Sequence, residues 1–183
     1  MNEPNKNHTN NKLAWGITGA GDKLEESVKV MKELKEKGYL IDVFLSKEAA
    51  TVLKMYKLCD EIKTFESVKK EKGPNSPFVV GPLQTGEYKA LIVTPATANT
   101  VAKIVYGIAD TLITNAVSQT SKSETPIYIY PVDNEPGTIE TSAPNGRKFK
   151  LKMRKTDLEN TNKLKEIENI HVLKNPDSLA DIF

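Results

Sequence analysis

The sequence predicts a three-layer α/β/α sandwich built on a parallel, doubly wound sheet. Three observations carry that expectation. From Leu13 onward, short apolar runs alternate with longer amphipathic ones, the rhythm of consecutive βαβ units. The short runs are almost continuously apolar, as strands are when helices cover both faces of a sheet. The stretches between them place apolar residues at helical steps. At 183 residues the chain fits one domain, expected over 12–183, preceded by a disordered tail at 1–11. That tail has five asparagines and no apolar stretch, so it does not read as a signal peptide, and it removes His8 from the site.

Leu13-Ala14-Trp15-Gly16-Ile17 is the first strand, ending in Thr18-Gly19-Ala20-Gly21. Leu24, Val28, Met31 and Leu34 then mark one helix face, and Gly38 stops that helix. Leu40 to Leu45 is the second strand, after which Ser46 caps a helix carrying Ala49, Val52, Leu53 and Tyr56. Lys63 to Glu87 holds two Gly-Pro pairs and reads as a long loop, with a short strand at Phe78-Val79-Val80. Ala90 to Val93 is a buried strand, and Thr94 to Thr100 leads into a helix showing Val101, Ile104, Val105, Ile108 and Leu112. Ile127 to Tyr130 is a further strand, ending in Pro131-Val132-Asp133-Asn134. Lys148 to Arg154 alternates strictly, Thr156-Asp157-Leu158-Glu159 matches a capping box, Ile170 to Leu173 is a last strand and Asn175-Pro176 opens a terminal turn. The expected fold is therefore flavodoxin-like, or Rossmann-like in the broad sense.

Composition narrows the chemistry. Charges nearly cancel, at 26 Lys+Arg against 24 Asp+Glu, so bulk charge does not point to nucleic acid. No apolar run reaches the roughly 20 residues of a membrane span. The single cysteine, Cys59, excludes an internal disulfide and a cysteine-based metal site, and agrees with a reducing cytoplasm. With only His8 and His171 as histidines, no metal site is expected. Catalysis must then rely on backbone amides, hydroxyls, carboxylates or a borrowed cofactor.

Ligands of such sheets bind beyond the carboxyl ends of the strands. Those ends here are Thr18 to Gly21, Ser46, Thr94 to Thr100 and Asp133-Asn134. Three of the four carry hydroxyls or glycines directly before a helix, which suits a phosphate, although Ser and Thr also serve as plain helix caps. Gly16, Gly19 and Gly21 do not form G-x-G-x-x-G, no acidic residue ends the second strand, and no G-x-x-x-x-G-K-[ST] is present. A mononucleotide fits this equipment better than a dinucleotide or a nucleoside triphosphate.

The run Pro95-Ala96-Thr97-Ala98-Asn99-Thr100-Val101-Ala102-Lys103, continuing to Gly107-Ile108-Ala109-Asp110, is more specific. It resembles the PASANT-type motif of the flavin-binding decarboxylase-like superfamily. With Ala14 to Gly21 and Thr111-Leu112-Ile113-Thr114-Asn115-Ala116, the chain is similar to the archaeal FMN flavoproteins within it. That group includes a ferredoxin-linked electron carrier and a dihydromethanopterin reductase. The resemblance implies FMN as cofactor, held by Thr18, Gly19, Ala20, Ser46, Thr94, Ala96, Thr97, Asn99 and Thr100. It places Asn99 near the isoalloxazine ring, and Gln84-Thr85-Gly86 along the ring edge. It further implies a homo-oligomer built from trimers.

The superfamily's acyl-cysteine decarboxylases use a His and a flap Cys. This chain has no His between His8 and His171 and no Cys after Cys59, which counts against that activity. A His that commonly follows the first glycine loop of the archaeal group is replaced by Asp22. The expectation is an FMN-dependent oxidoreductase passing electrons from a ferredoxin-like donor to an acceptor, most concretely dihydromethanopterin. The alternatives are a flavin-binding store without turnover, and a decarboxylase with relocated groups. No catalytic side chain is assigned. Tyr106 and Asp110 read as a packing residue and a contact at a helix end. Arg147 to Lys155 holds six cations in nine residues, and its face either docks an acidic redox protein or protects a sheet edge. Nucleic acid and membrane are not expected partners.

Overall fold

The structure, a computed structural model, describes residues 11–183. The expected tail and His8 lie outside the described residues, save for Asn11, whose carbonyl accepts a hydrogen bond from Leu40 N at 2.9 Å.

Six parallel strands form the central sheet: β1 (Lys12–Ile17), β2 (Leu40–Leu45), β3 (Ser67–Lys70), β4 (Ala90–Ala96), β5 (Ile127–Pro131) and β8 (Ile170–Val172). Their spatial order is β3-β2-β1-β4-β5-β8. Apart from the edge strand β3, this is the flavodoxin order. Alternate residues of each strand feed two separate cores. Leu13, Trp15 and Ile17 pack under α1 (Leu24–Glu36), α2 (Lys47–Met55) and α3 (Cys59–Ile62), while Leu91, Val93, Ile127 and Ile129 pack under α4 (Val80–Gln84), α5 (Ala98–Val105), α6 (Leu112–Thr120) and α7 (Lys155–Leu164). The winding therefore reverses between β1 and β4, which makes their carboxyl ends the switch point where such sheets bind ligands.

Several local expectations are corrected. Phe78-Val79-Val80 is not a strand; it opens α4, whose Pro82 sits in the first turn, where a missing N–H costs nothing. The long loop also contains α3 and β3. The apolar period from Val101 to Leu112 is two helices, broken at Gly107 with φ +70°, and Thr111 caps the second. Thr156-x-x-Glu159 is not a capping box. Helix α7 starts two residues earlier, at Lys155 with Arg154 in the cap position, and Asp157 is buried, gripped at 2.7 and 2.8 Å by the Arg154 guanidinium.

The basic strand, β7 (Lys148–Lys152), is not an edge of the main sheet. It pairs antiparallel with β6 (Thr138–Ser142), unforeseen from sequence, as a separate ribbon. Lys148, Lys150 and Lys152 share its outer face, as period two requires. Tyr56 Oη donates to Ser142 O at 3.2 Å and Thr141 Oγ1 to Asp22 at 3.4 Å, so the ribbon rests on the end of α2 and on the β1–α1 connection. The terminal turn is a 3-10 helix (Pro176–Asp181) capped by Asn175 as expected.

Candidate functional site

A cleft of about 490 Å³ opens at the switch point, lined from the ends of β1, β2, β3 and β4 and from the start of α6. Three helices begin there, and each begins with a hydroxyl cap. Ser46 Oγ accepts from Ala49 N at 3.1 Å, Thr97 Oγ1 from Thr100 N at 3.2 Å, and Thr111 Oγ1 from Thr114 N at 3.2 Å. Three positive helix ends facing one space favour an anion there.

Two of those ends already hold carboxylates of the protein. Glu71 Oε2 accepts from Lys47 N at 3.3 Å. The Asp133 carboxyl is pushed up by burial and by the Asp157 charge, while the Arg154 charge and the Ala98 N–H at the head of α5 pull it back. Asp110 also lines the cleft, its carboxyl held below the ordinary value by the Lys103 ammonium, which donates to both oxygens at 2.9 Å.

Of the nine residues expected at the cofactor, six line this cleft: Thr18, Gly19, Ser46, Thr97, Asn99 and Thr100. Asn99 is exposed, and its amide makes no hydrogen bond among the described residues. Gly19 has a steric reason to be glycine, because a Cβ there would lie 2.6 Å from Glu48 Cβ. Thr18 lines the wall as a bracket. Its hydroxyl donates to Pro95 O at 2.7 Å and accepts from Thr97 N at 2.9 Å, tying the end of β1 to that of β4.

Ala20, Thr94 and Ala96 do not line the cleft. All three are buried, and Thr94 Oγ1 is shared with Ser27 Oγ at 2.9 Å. Gln84-Thr85-Gly86 lies beside Lys89 and Pro126, which lead into β4 and β5, so it sits at the opposite end of the sheet. Tyr106 does not pack inward; it is 62% exposed and accepts from Lys163 Nζ at 3.1 Å. Sequence reasoning missed Lys47, Glu48, Glu71, Thr111 and Ile113 as lining residues. Thr111 was legible as a cap three residues before Thr114; Glu71 carried no local signal.

Comparison with known proteins gives this geometry a family. The sequence model of the Flavoprotein family matches residues 1–182. The chain belongs to the Flavoprotein family. It is 51% identical over 173 residues to an uncharacterized protein of Methanocaldococcus jannaschii, covering 93% of both chains. It is 32% identical to a dihydromethanopterin reductase (acceptor) of the same organism, covering 95% of this chain and 96% of that one. Among solved structures, Burkholderia xenovorans DmrB in complex with FMN, described as a cubic protein cage for redox transfer, superimposes with a TM-score of 0.80. The identity is 33%, covering 93% of this flavoprotein and 92% of DmrB. Phenylacrylic acid decarboxylase from Aquifex aeolicus, at 23% identity and a TM-score of 0.64, shares the fold alone.

Proposed function

We propose that this flavoprotein holds FMN in the switch-point cleft and passes electrons from an acidic, ferredoxin-like carrier to a dihydropterin, with dihydromethanopterin the most concrete acceptor. The observation that carries the reading is the convergence of three hydroxyl-capped helix ends on one cleft, in a chain aligned over nearly its whole length with an FMN-bound relative.

The residues present fit the group. Gly19 lets the β1–α1 connection approach α2 to where a Cβ would lie 2.6 Å from Glu48 Cβ, the amides at the starts of α2, α5 and α6 that neither the caps nor Glu71 and Asp133 take offer donors to a phosphate, and the unpartnered Asn99 amide can both donate to and accept from a flavin ring. Bound FMN would supply two-electron carriage; the protein supplies binding, orientation and electrostatics. Reduction of the dihydropterin adds two electrons and two protons to its C=N bond.

The donor would dock on the outer face of the ribbon, where Lys150 and Lys152 are exposed and form no ion pair among the described residues. Reversing both to Glu is expected to slow reduction by an acidic carrier about ten-fold at low salt, with the difference fading as salt screens it. We further place the protein in the cytoplasm as a homo-oligomer built from trimers. No described helix is long and apolar enough to cross a membrane.

The test is anaerobic. Reduced, FMN-loaded protein is mixed with a 7,8-dihydropterin, and reoxidation is followed together with tetrahydropterin formation. Rapid, stoichiometric reoxidation is expected. A flavin that only oxygen reoxidises would make the protein a store and overturn the reading.

A further inference from the structure

A second space opens beside the cofactor cleft, under the ribbon. Cavities of about 380 and 370 Å³ meet at Asp22 and Lys23. Tyr56 and Thr141 wall the first, and Tyr130, Ile139 and Met153 the second. Both rise from the connection that also carries Gly19, so this crevice and the cofactor cleft share one loop.

Asp22 is the half-buried carboxylate in it that lacks an adequate partner; Glu25, Glu135 and Glu140, which also line it, are exposed, and Glu26 is paired with Lys23. It is half-buried, yet its one side-chain hydrogen bond among the described residues comes from Thr141 Oγ1 at 3.4 Å, to Oδ1 alone. The adjacent cation does not serve it, because Lys23 Nζ is bound to Glu26 at 2.9 Å. Burial pushes the Asp22 carboxyl above its ordinary value; the Lys23 charge and the Thr141 bond pull it back and the Glu26 charge adds to the rise. A carboxylate withdrawn from water without donors is costly unless something supplies them. Two parallel N–H groups in one plane would satisfy it best. The apolar walls Ile139 and Met153, with the Tyr130 ring, suit the faces of a flat heterocycle.

The 2-amino-4-oxopyrimidine edge of a pterin carries that pair of donors, at ring N3–H and the exocyclic amine. We propose that Asp22 reads this edge of the acceptor in the crevice beneath the ribbon, and so determines specificity for pterins. The inference rests on the acceptor class proposed above.

Affinities of 6-methyl-7,8-dihydropterin and its 2-oxo counterpart (the dihydrolumazine) would be measured on FMN-loaded protein, with flavin content read in the same samples. Wild type is expected to prefer the pterin at least ten-fold. Asp22→Asn presents one acceptor and one donor, which matches the N3–H and C2=O edge of the lumazine. It is therefore expected to weaken the pterin about 10- to 100-fold and invert the preference. Asp22→Ser, the second variant should the amide misfold, is expected to lose the pterin preference without gaining the lumazine. Flavin content should stay unchanged in both. A pterin preference that survives both substitutions, or equal losses for both ligands, would overturn the proposal while leaving the cofactor reading standing. Failure of wild type to take up FMN would bring down that reading and this one with it.

Discussion

The cleft at the β1–β4 switch and the crevice beneath the ribbon share the connection from Thr18 to Lys23, but they are built from different materials. The first is walled by capped helix ends and by hydroxyls already engaged with the backbone, such as that of Thr18 with Pro95 O and Thr97 N. The second is roofed by a two-stranded ribbon resting on two bonds of 3.2 and 3.4 Å, over a carboxylate with little else to hold. A site made chiefly of backbone ends and hydroxyls is fixed by the fold. A site built around a half-buried carboxylate under a light roof can discriminate by charge and hydrogen-bond pattern, and it leaves the fold carrying a poorly satisfied group.

The largest blow to the first site is Gly19→Val. The new side chain would collide with Glu48, whose Cβ lies 2.6 Å from where even a Cβ would stand, forcing the loop off α2. FMN affinity is expected to fall about 100-fold or more, since displacements near 1 Å are that costly to an oriented ligand. Flavin titration measures the loss, and an unchanged far-ultraviolet spectrum assigns it to the cleft.

Two aspartates sharpen the contrast through pH. Asp42 is buried in β2, where burial pushes its carboxyl up, but hydrogen bonds from Tyr88, Lys12 and Ser67 outweigh this and hold it below its ordinary value. Its stabilisation is thus present above about pH 4, the unfolded value, and is lost as pH falls below it. Asp42→Asn should cost about 2 kcal/mol at pH 7, with the gap to wild type closing in acid. Asp22 is shifted the other way, so its ionisation disfavours the folded state as pH rises. Asp22→Asn should raise the melting temperature of the ligand-free protein at pH 7 by a degree or two and leave it unchanged at pH 3. Denaturation followed across pH checks both signs.

The smallest expected effect concerns the carboxylate on α2. Glu71 takes the Lys47 amide that a phosphate could otherwise use. Glu71→Gln should tighten FMN about three-fold, the size of a charge at a helix end, by fluorescence titration.

What the sequence made legible divides along physical lines. Apolar runs such as Leu40–Leu45, and caps such as Ser46, are local signals, and the structure places the strand and the cap where they were expected. Strand β3 was invisible because Ser67–Lys70 is a polar edge strand held only by β2. The break at Gly107 was hidden because the apolar period runs through it into α6. Within the candidate site, Thr18 and Thr94 read alike as hydroxyls at strand ends. Only three-dimensional pairing makes Thr18 a bracket on the wall and Thr94 a buried partner of Ser27. Glu71 and Asp22 draw their meaning from neighbours far along the chain, which no local pattern announces.

The central claim is that the switch-point cleft holds FMN, and the most direct measurement is the visible spectrum of the purified protein followed by mass analysis of the released cofactor. The account predicts a yellow protein, carrying or stoichiometrically taking up a cofactor with the mass of FMN. A colourless protein that takes up no FMN would contradict it.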